Sequence, residues 1–142
     1  MSKQNFDFAV QFIGLENSGK TTILNAFKNT LKDVIIKPTV GFGIETFNYS
    51  KCKKPILAYD CSGEGRHRVQ WQNFYSEVEA IFFLIDSTDR NRFPIVKKYL
   101  KELFKDERII RRNTPIVILC NKQDLSDAND KMQIIEQLSL KN

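Results

Sequence analysis

The sequence predicts an α/β domain of the doubly wound type, with a mostly parallel sheet, one antiparallel edge hairpin and helices on the sheet's faces. Three observations carry that expectation. Short apolar runs alternate with stretches of helical period, the loop GLENSGKTT at residues 14–22 stands between the first run and the first helix, and later runs end in DCSG and NKQD.

Residues 6–13 (FDFAVQFI) carry Phe6, Phe8, Val10, Phe12 and Ile13, which suits a mostly buried strand. The next nine residues fit GxxxxGK[ST], with Gly14, Gly19, Lys20 and Thr21 on the fixed positions. Such a loop turns successive backbone N–H groups and a helix N-terminus toward bound phosphate. Lys20 then serves as a point charge on the β- and γ-phosphates, and the Thr21 hydroxyl as a magnesium ligand. At this stage ATP and GTP are equally open. Ile23, Leu24, Ala26, Phe27 and Leu31 recur at helical spacing, completing a strand, loop and helix.

A connector over 31–38 leads to Pro38–Thr39, where proline breaks the pattern, and alternation over 42–49 reads as a strand. Residues 50–53 form a turn, and 55–60 (PILAYD) pair back as a hairpin whose last residue, Asp60, is aimed from a strand's C-terminal edge. Residues 61–69 (CSGEGRHRV) read as an irregular, mobile segment, followed by a short helix using Trp71, Phe74, Tyr75 and Val78. Residues 80–86 (AIFFLID) and 115–120 (PIVILC) are expected as buried strands. Between them a helix over 91–105, capped by residues 87–89, should bury Phe93, Val96, Leu100 and Phe104. A last helix spans 131–138.

The 142 residues predict one domain with a core that does not depend on disulfides. Lysine and arginine total 22 against 17 acids, a formal charge of +5. The basic clusters are interleaved with apolar or acidic residues and no aromatic-basic stripe accompanies them, so a nucleic-acid partner is not expected. Weak attraction to anionic membranes stays open. Three cysteines without CxxC spacing point to a reduced, cytoplasmic chain with no zinc site. No run approaches the roughly 18 apolar residues of a spanning helix, and with Ser2 following Met1 this N-terminus is not a myristoylation signal.

GLENSGKT, Pro38–Thr39, Asp60-Cys61-Ser62-Gly63 and Asn121-Lys122-Gln123-Asp124 stand in one order, each at an expected strand end. That order resembles the Ras-like small GTPases over nearly the whole chain. Within them PTVGFGIE, the Trp71 region, NSGKTT and DCSGEGRHRVQW resemble the ADP-ribosylation-factor-like branch. The resemblance implies a guanine-nucleotide switch that binds GTP or GDP with Mg2+, hydrolyses GTP slowly and recruits an effector in the GTP form.

By that resemblance, the loop residues Gly14, Glu16, Asn17, Ser18, Gly19, Lys20, Thr21 and Thr22 hold the phosphates. Thr21 and Thr39 bind magnesium directly, and Asp60 holds it through water. Gly63 gives its N–H to the γ-phosphate. Asp124 accepts hydrogen bonds from the guanine N1–H and amine, Asn121 ties this loop to the phosphate loop, and Lys122 lies along the base face. Lys20, Gly63 and position 64 form the catalytic set. The implied partners are an exchange factor, a GTPase-activating protein and a coat or trafficking effector, including a ciliary coat complex, with peripheral membranes or the cilium base as sites of action. Phe42, Tyr59 and Phe74 are expected either as an effector-facing aromatic cluster or as ordinary core.

Two departures stand out. The family has glutamine where this chain has Glu64. An ionised carboxylate cannot donate a hydrogen bond, and at about 4 Å from a phosphate charge it is repelled by about 4 kcal/mol at an effective dielectric near 20. The scaffold alternative, GTP binding with little or no hydrolysis, follows from the same residue. Second, the family continues through a further strand and a closing helix, so the domain at 1–142 is expected to be a truncated form with an exposed edge at the 115–120 strand. His67, the single histidine, is expected as a solvated residue of the mobile segment.

Overall fold

The computed structural model describes residues 5–28 and 41–140. Thr39, and the Pro38–Thr39 break with it, lies outside the described residues. Five strands form one sheet in the order β2-β3-β1-β4-β5. They are β1 (Phe8–Ile13), β2 (Phe42–Phe47), β3 (Ile56–Cys61), β4 (Ala80–Asp86) and β5 (Ile116–Asn121). β1 runs parallel to both β3 and β4, β4 runs parallel to β5, and β2 is antiparallel to β3. The doubly wound sheet and its single antiparallel edge hairpin are those the sequence predicts.

This order positions the site. From β1 the chain moves to one side of the sheet for β2 and β3, then crosses to the other side for β4 and β5. Ligands of open α/β sheets bind where the winding reverses, outside the strands' C-terminal ends, and here that point is the end of β1. Central strands are covered on both faces and so read as largely apolar runs: β3 is buried throughout and β1 from Ala9 onward, with Gln11 and Asp60 the buried polar residues among them. β2, at an edge, alternates exposed and half-buried residues. β5 is the opposite edge and is half-buried rather than buried, with Val117 39% exposed.

The larger core packs Trp71, Phe74, Tyr75 and Phe83 against helix α2 (Phe93–Lys105), helix α3 (Glu107–Arg112) and helix α4 (Lys131–Gln137). A smaller one joins Val10, Phe12, Ile56, Ala58 and Leu84 to Leu24 of helix α1 (Lys20–Phe27). Phe12 stacks on Phe82 with centroids 5.1 Å apart.

Three expectations need correction. Residues after Gly65 are not irregular: a 3-10 helix runs Gly65–Phe74, and side chains on it bond back to carbonyls just before it. His67 is accordingly half-buried, its side chain 18% exposed and its Nε2 enclosed without a hydrogen-bond partner. In α2 the fourth inward residue is Leu103, 2% exposed, while Phe104 is 43% exposed on the flank of the stripe because Ile109 of α3 completes the packing on the Leu103 side. α3 itself hides in sequence behind its basic composition, although its caps are legible: Asp106 accepts from Arg108 N and Asn113 closes it at φ 51°. The aromatic cluster answers to both readings, since Tyr59 and Phe74 are buried while Phe42 is 45% exposed against Phe74, with centroids 4.9 Å apart.

Candidate functional site: a phosphate loop and three strand ends

The loop between β1 and α1 is wound by Asn17 at φ 62° and Gly19 at φ 94°, both left-handed. Gly19 is required twice over, because a Cβ there would lie 2.2 Å from Asn121 Nδ2. Lys20, the first helical residue, is buried and donates to Gly14 O at 2.9 Å, Leu15 O at 2.8 Å and Ser18 Oγ at 3.3 Å. Burial pushes its ammonium down to about 8, with Asp60 and Glu16 opposing the shift. A desolvated cation at the mouth of a helix N-terminus is stabilised by an anion, which is what a phosphate supplies.

Asp60 reaches the loop from the end of β3, where its Oδ2 accepts from Thr21 Oγ1 at 2.6 Å. A carboxylate and a hydroxyl side by side are hard oxygen donors, and they fit magnesium, which keeps several waters and uses few protein ligands. Among the described residues no group of three or more His, Cys, Asp or Glu side chains forms a metal cage. Gly63 is buried against the loop: a Cβ on it would meet Leu15 C and Glu16 N, each at 2.3 Å.

The NKQD segment leaves β5 on the far side of the same loop. Asn121 Nδ2 donates to Ser18 O at 2.9 Å, so the two loops are joined directly. Lys122, at φ 65°, puts its Nζ 2.8 Å from Asp86 Oδ2. Burial raises the Asp86 carboxyl, but hydrogen bonds from Lys122 and Thr88 win and hold it below the usual carboxylate range. Asp124 lies exposed in the turn beyond. Thr22 is exposed at the start of α1, and Ser18 is buried within the loop.

Glu16 does not point freely into the cradle. Arg92 donates to its Oε1 at 2.9 Å and to its backbone carbonyl at 2.7 Å, and Arg68 Nη2 lies 3.6 Å from its Oε2. Glu64 is half-buried; its Oε2 accepts from Arg66 Nε at 3.0 Å and sits 3.9 Å from His67 Nε2.

Asp86 and Arg92 were not singled out in sequence, and Ser87 was expected only as a cap of α2, whose N-cap is instead Arg92 without a side-chain bond. Asp86 ends an apolar strand as Asp60 does, a signal that was available. Ser87 Oγ accepts from Gln123 Nε2 at 2.9 Å and its carbonyl accepts from Asn129 N at 2.8 Å, which orders the turn that carries Asp124. Arg92 is legible only in three dimensions, because its partner is 76 positions away.

ADP-ribosylation factor-like protein 6 from Danio rerio is 39% identical over 133 residues, which span 92% of this chain and 69% of that protein. ADP-ribosylation factor K from Dictyostelium discoideum is 35% identical over 94% of the chain and 69% of its own length. The solved structure of the Arl6 BBS3 small GTPase from Trypanosoma brucei with the bound nucleotide analogue GppNp superimposes with a TM-score of 0.84 at 32% identity, covering 94% of this chain and 77% of that one. The ADP-ribosylation factor family model matches residues 1–142. With every residue of the sequence inside that match, the chain belongs to the ADP-ribosylation factor family, small GTPases that act as GTP-binding switches.

Proposed function

We propose that this chain is a guanine-nucleotide switch that hydrolyses GTP slowly and recruits membrane-trafficking or ciliary coat effectors when GTP is bound. The observation that carries the base assignment is the Asn121–Ser18 bond, which clamps the NKQD turn against the phosphate loop. A base stacked beside Lys122 then presents its edge to Asp124, whose carboxylate accepts two hydrogen bonds from guanine and cannot pair in that way with adenine.

Lys20 and the amides of residues 14–22 hold the phosphates, and Thr21, Thr39 and Asp60 hold magnesium. Held there, magnesium would supply neutralisation of phosphate charge. Gly63 reads the γ-phosphate through its N–H, so loss of that phosphate releases the segment that follows β3. An exchange factor, an activating protein and a coat effector complete the cycle, and Phe42, exposed beside Phe74, belongs to the effector face. The switch works in the cytoplasm, meeting membranes or the cilium base peripherally.

Competition binding tests this. Fluorescent GDP is expected to be displaced by GDP and GTP but not by ATP. Asp124→Ala is expected to weaken GDP by about 100-fold, as loss of two hydrogen bonds near 1.4 kcal/mol each requires. Displacement by ATP at equal concentration would overturn the assignment. A second reading, a GTP-binding scaffold with little hydrolysis, is favoured by one observation, the engagement of Glu64 by Arg66 at 3.0 Å.

A further inference from the structure

The reading of Gly63 as γ-phosphate sensor requires something to hold its peptides in place, and within the loop only the Ser62 hydroxyl does so, accepting from Glu64 N at 3.3 Å. Two residues of the 3-10 helix do so as well. Trp71 Nε1 donates to Ser62 O at 2.9 Å, and Arg68 Nε donates to Gly63 O at 2.7 Å. These acceptors are the carbonyls of consecutive peptides, the Ser62–Gly63 unit and the Gly63–Glu64 unit. In a trans peptide the C=O and the N–H point in opposite directions, and the described peptides contain no cis bond. The indole therefore sets the direction of the Gly63 N–H, and the guanidinium sets that of the Glu64 N–H, which reaches back to Ser62 Oγ at 3.3 Å.

Both anchors are themselves held. Trp71 is 3% exposed, and its backbone carbonyl accepts at 2.8 Å from Nε2 of Gln11, a fully buried residue of the central strand β1. Arg68 spans three elements: besides Gly63 O it lies 3.6 Å from Glu16 Oε2 on the phosphate loop, and its Cζ sits 5.2 Å over the Tyr99 ring of α2. Gly63 has no room to drift toward the loop, since a Cβ on it would already be 2.3 Å from Glu16 N.

We propose that Trp71 and Arg68 are the positioning residues of the γ-phosphate sensor, fixing the two peptide planes that flank Gly63 and so setting the preference for GTP over GDP. The proposal rests on the reading of Gly63 given above. A purely structural role would weaken both nucleotides alike. A positioning role acts on the γ-phosphate and therefore changes the ratio of the two affinities.

The test compares dissociation constants for GDP and for a non-hydrolysable GTP analogue, in excess magnesium, for the unmodified chain, Trp71→Phe, Arg68→Gln, Arg68→Lys and Gly63→Ala. Circular dichroism confirms folding of each. Trp71→Phe keeps the aromatic ring and removes only the indole donor; should it fail to fold, Arg68→Gln carries the comparison. For either variant the analogue-to-GDP ratio of dissociation constants is expected to rise about tenfold, the effect of one hydrogen bond near 1.4 kcal/mol. Arg68→Lys should restore part of this, because a point charge can serve Gly63 O or Glu16 but lacks the fork that serves both. An unchanged ratio in both Trp71→Phe and Arg68→Gln overturns the proposal while Gly63→Ala still raises the ratio and keeps the sensor reading intact. If Gly63→Ala leaves the ratio unchanged, the sensor reading fails and the proposal with it.

Discussion

Glu64 places a carboxylate directly after Gly63 without altering the frame of the site. Its carboxylate accepts from Arg66, which is 72% exposed, and His67 Nε2 lies 3.9 Å away. An exposed pair of this kind contributes only a fraction of 1 kcal/mol up to about 1 kcal/mol, so it offsets only part of the roughly 4 kcal/mol repulsion that a carboxylate meets beside a phosphate. Glu64→Gln removes the repulsion and restores a donor. Single-turnover GTP hydrolysis is expected to accelerate about tenfold in that variant, the equivalent of about 1.4 kcal/mol in the barrier. An unchanged rate would show that Glu64 takes no part near the phosphate. The loop residues were legible in sequence because GxxxxGK[ST] specifies its own backbone path. The partners of Glu16 were not, since Arg68 and Arg92 approach it from remote elements.

At the scale of elements, α3 joins α2 to β5 through a cap that titrates. Asp106 accepts from the backbone N and the side chain of Arg108, and the Arg108 guanidinium holds its carboxyl below the usual carboxylate range. A carboxyl depressed in the folded chain contributes stability that is fully present above its unfolded value, about 3.9, and is lost as pH falls through the folded value. Asp106→Ala is expected to cost about 1 kcal/mol in urea unfolding at pH 7. Asp106→Asn, which still caps but does not titrate, should flatten the loss of stability as pH falls below about 3.9. An acid limb identical to that of the unmodified chain would remove Asp106 from the account. The strands were readable as elements, and their edges were less so: residues 115–120 look as apolar as 80–86, yet β5 ends up half-buried because nothing in the described sheet pairs beyond it.

For the whole molecule the consequence is linkage between nucleotide and fold. The site draws on the ends of β1, β3 and β5 together with α1, so a bound nucleotide ties both halves of the sheet across β1. A ligand that binds only the folded chain stabilises it by about 2.7 kcal/mol at 100 times its Kd. For a domain of this size that is a rise in Tm of roughly 5–10 °C. GDP with magnesium is expected to give that rise, GDP with a chelator a smaller one, and ATP none. Equal shifts with ATP and GDP would argue against guanine selectivity at the level of the whole fold.

By itself the sequence determined the strand-and-helix alternation, the phosphate loop and the order of the four motifs, because these depend on local periodicity, glycine positions and short-range chemistry. The central strands declared themselves through largely apolar runs, and the edge strand β2 through its alternation. Only the tertiary structure decided which side chains hold the motifs in place: Asn121 on Ser18, Arg92 on Glu16, Trp71 and Arg68 on the peptides around Gly63. Such contacts join residues as much as 103 positions apart, and no periodicity in a chain records a distance that only folding creates.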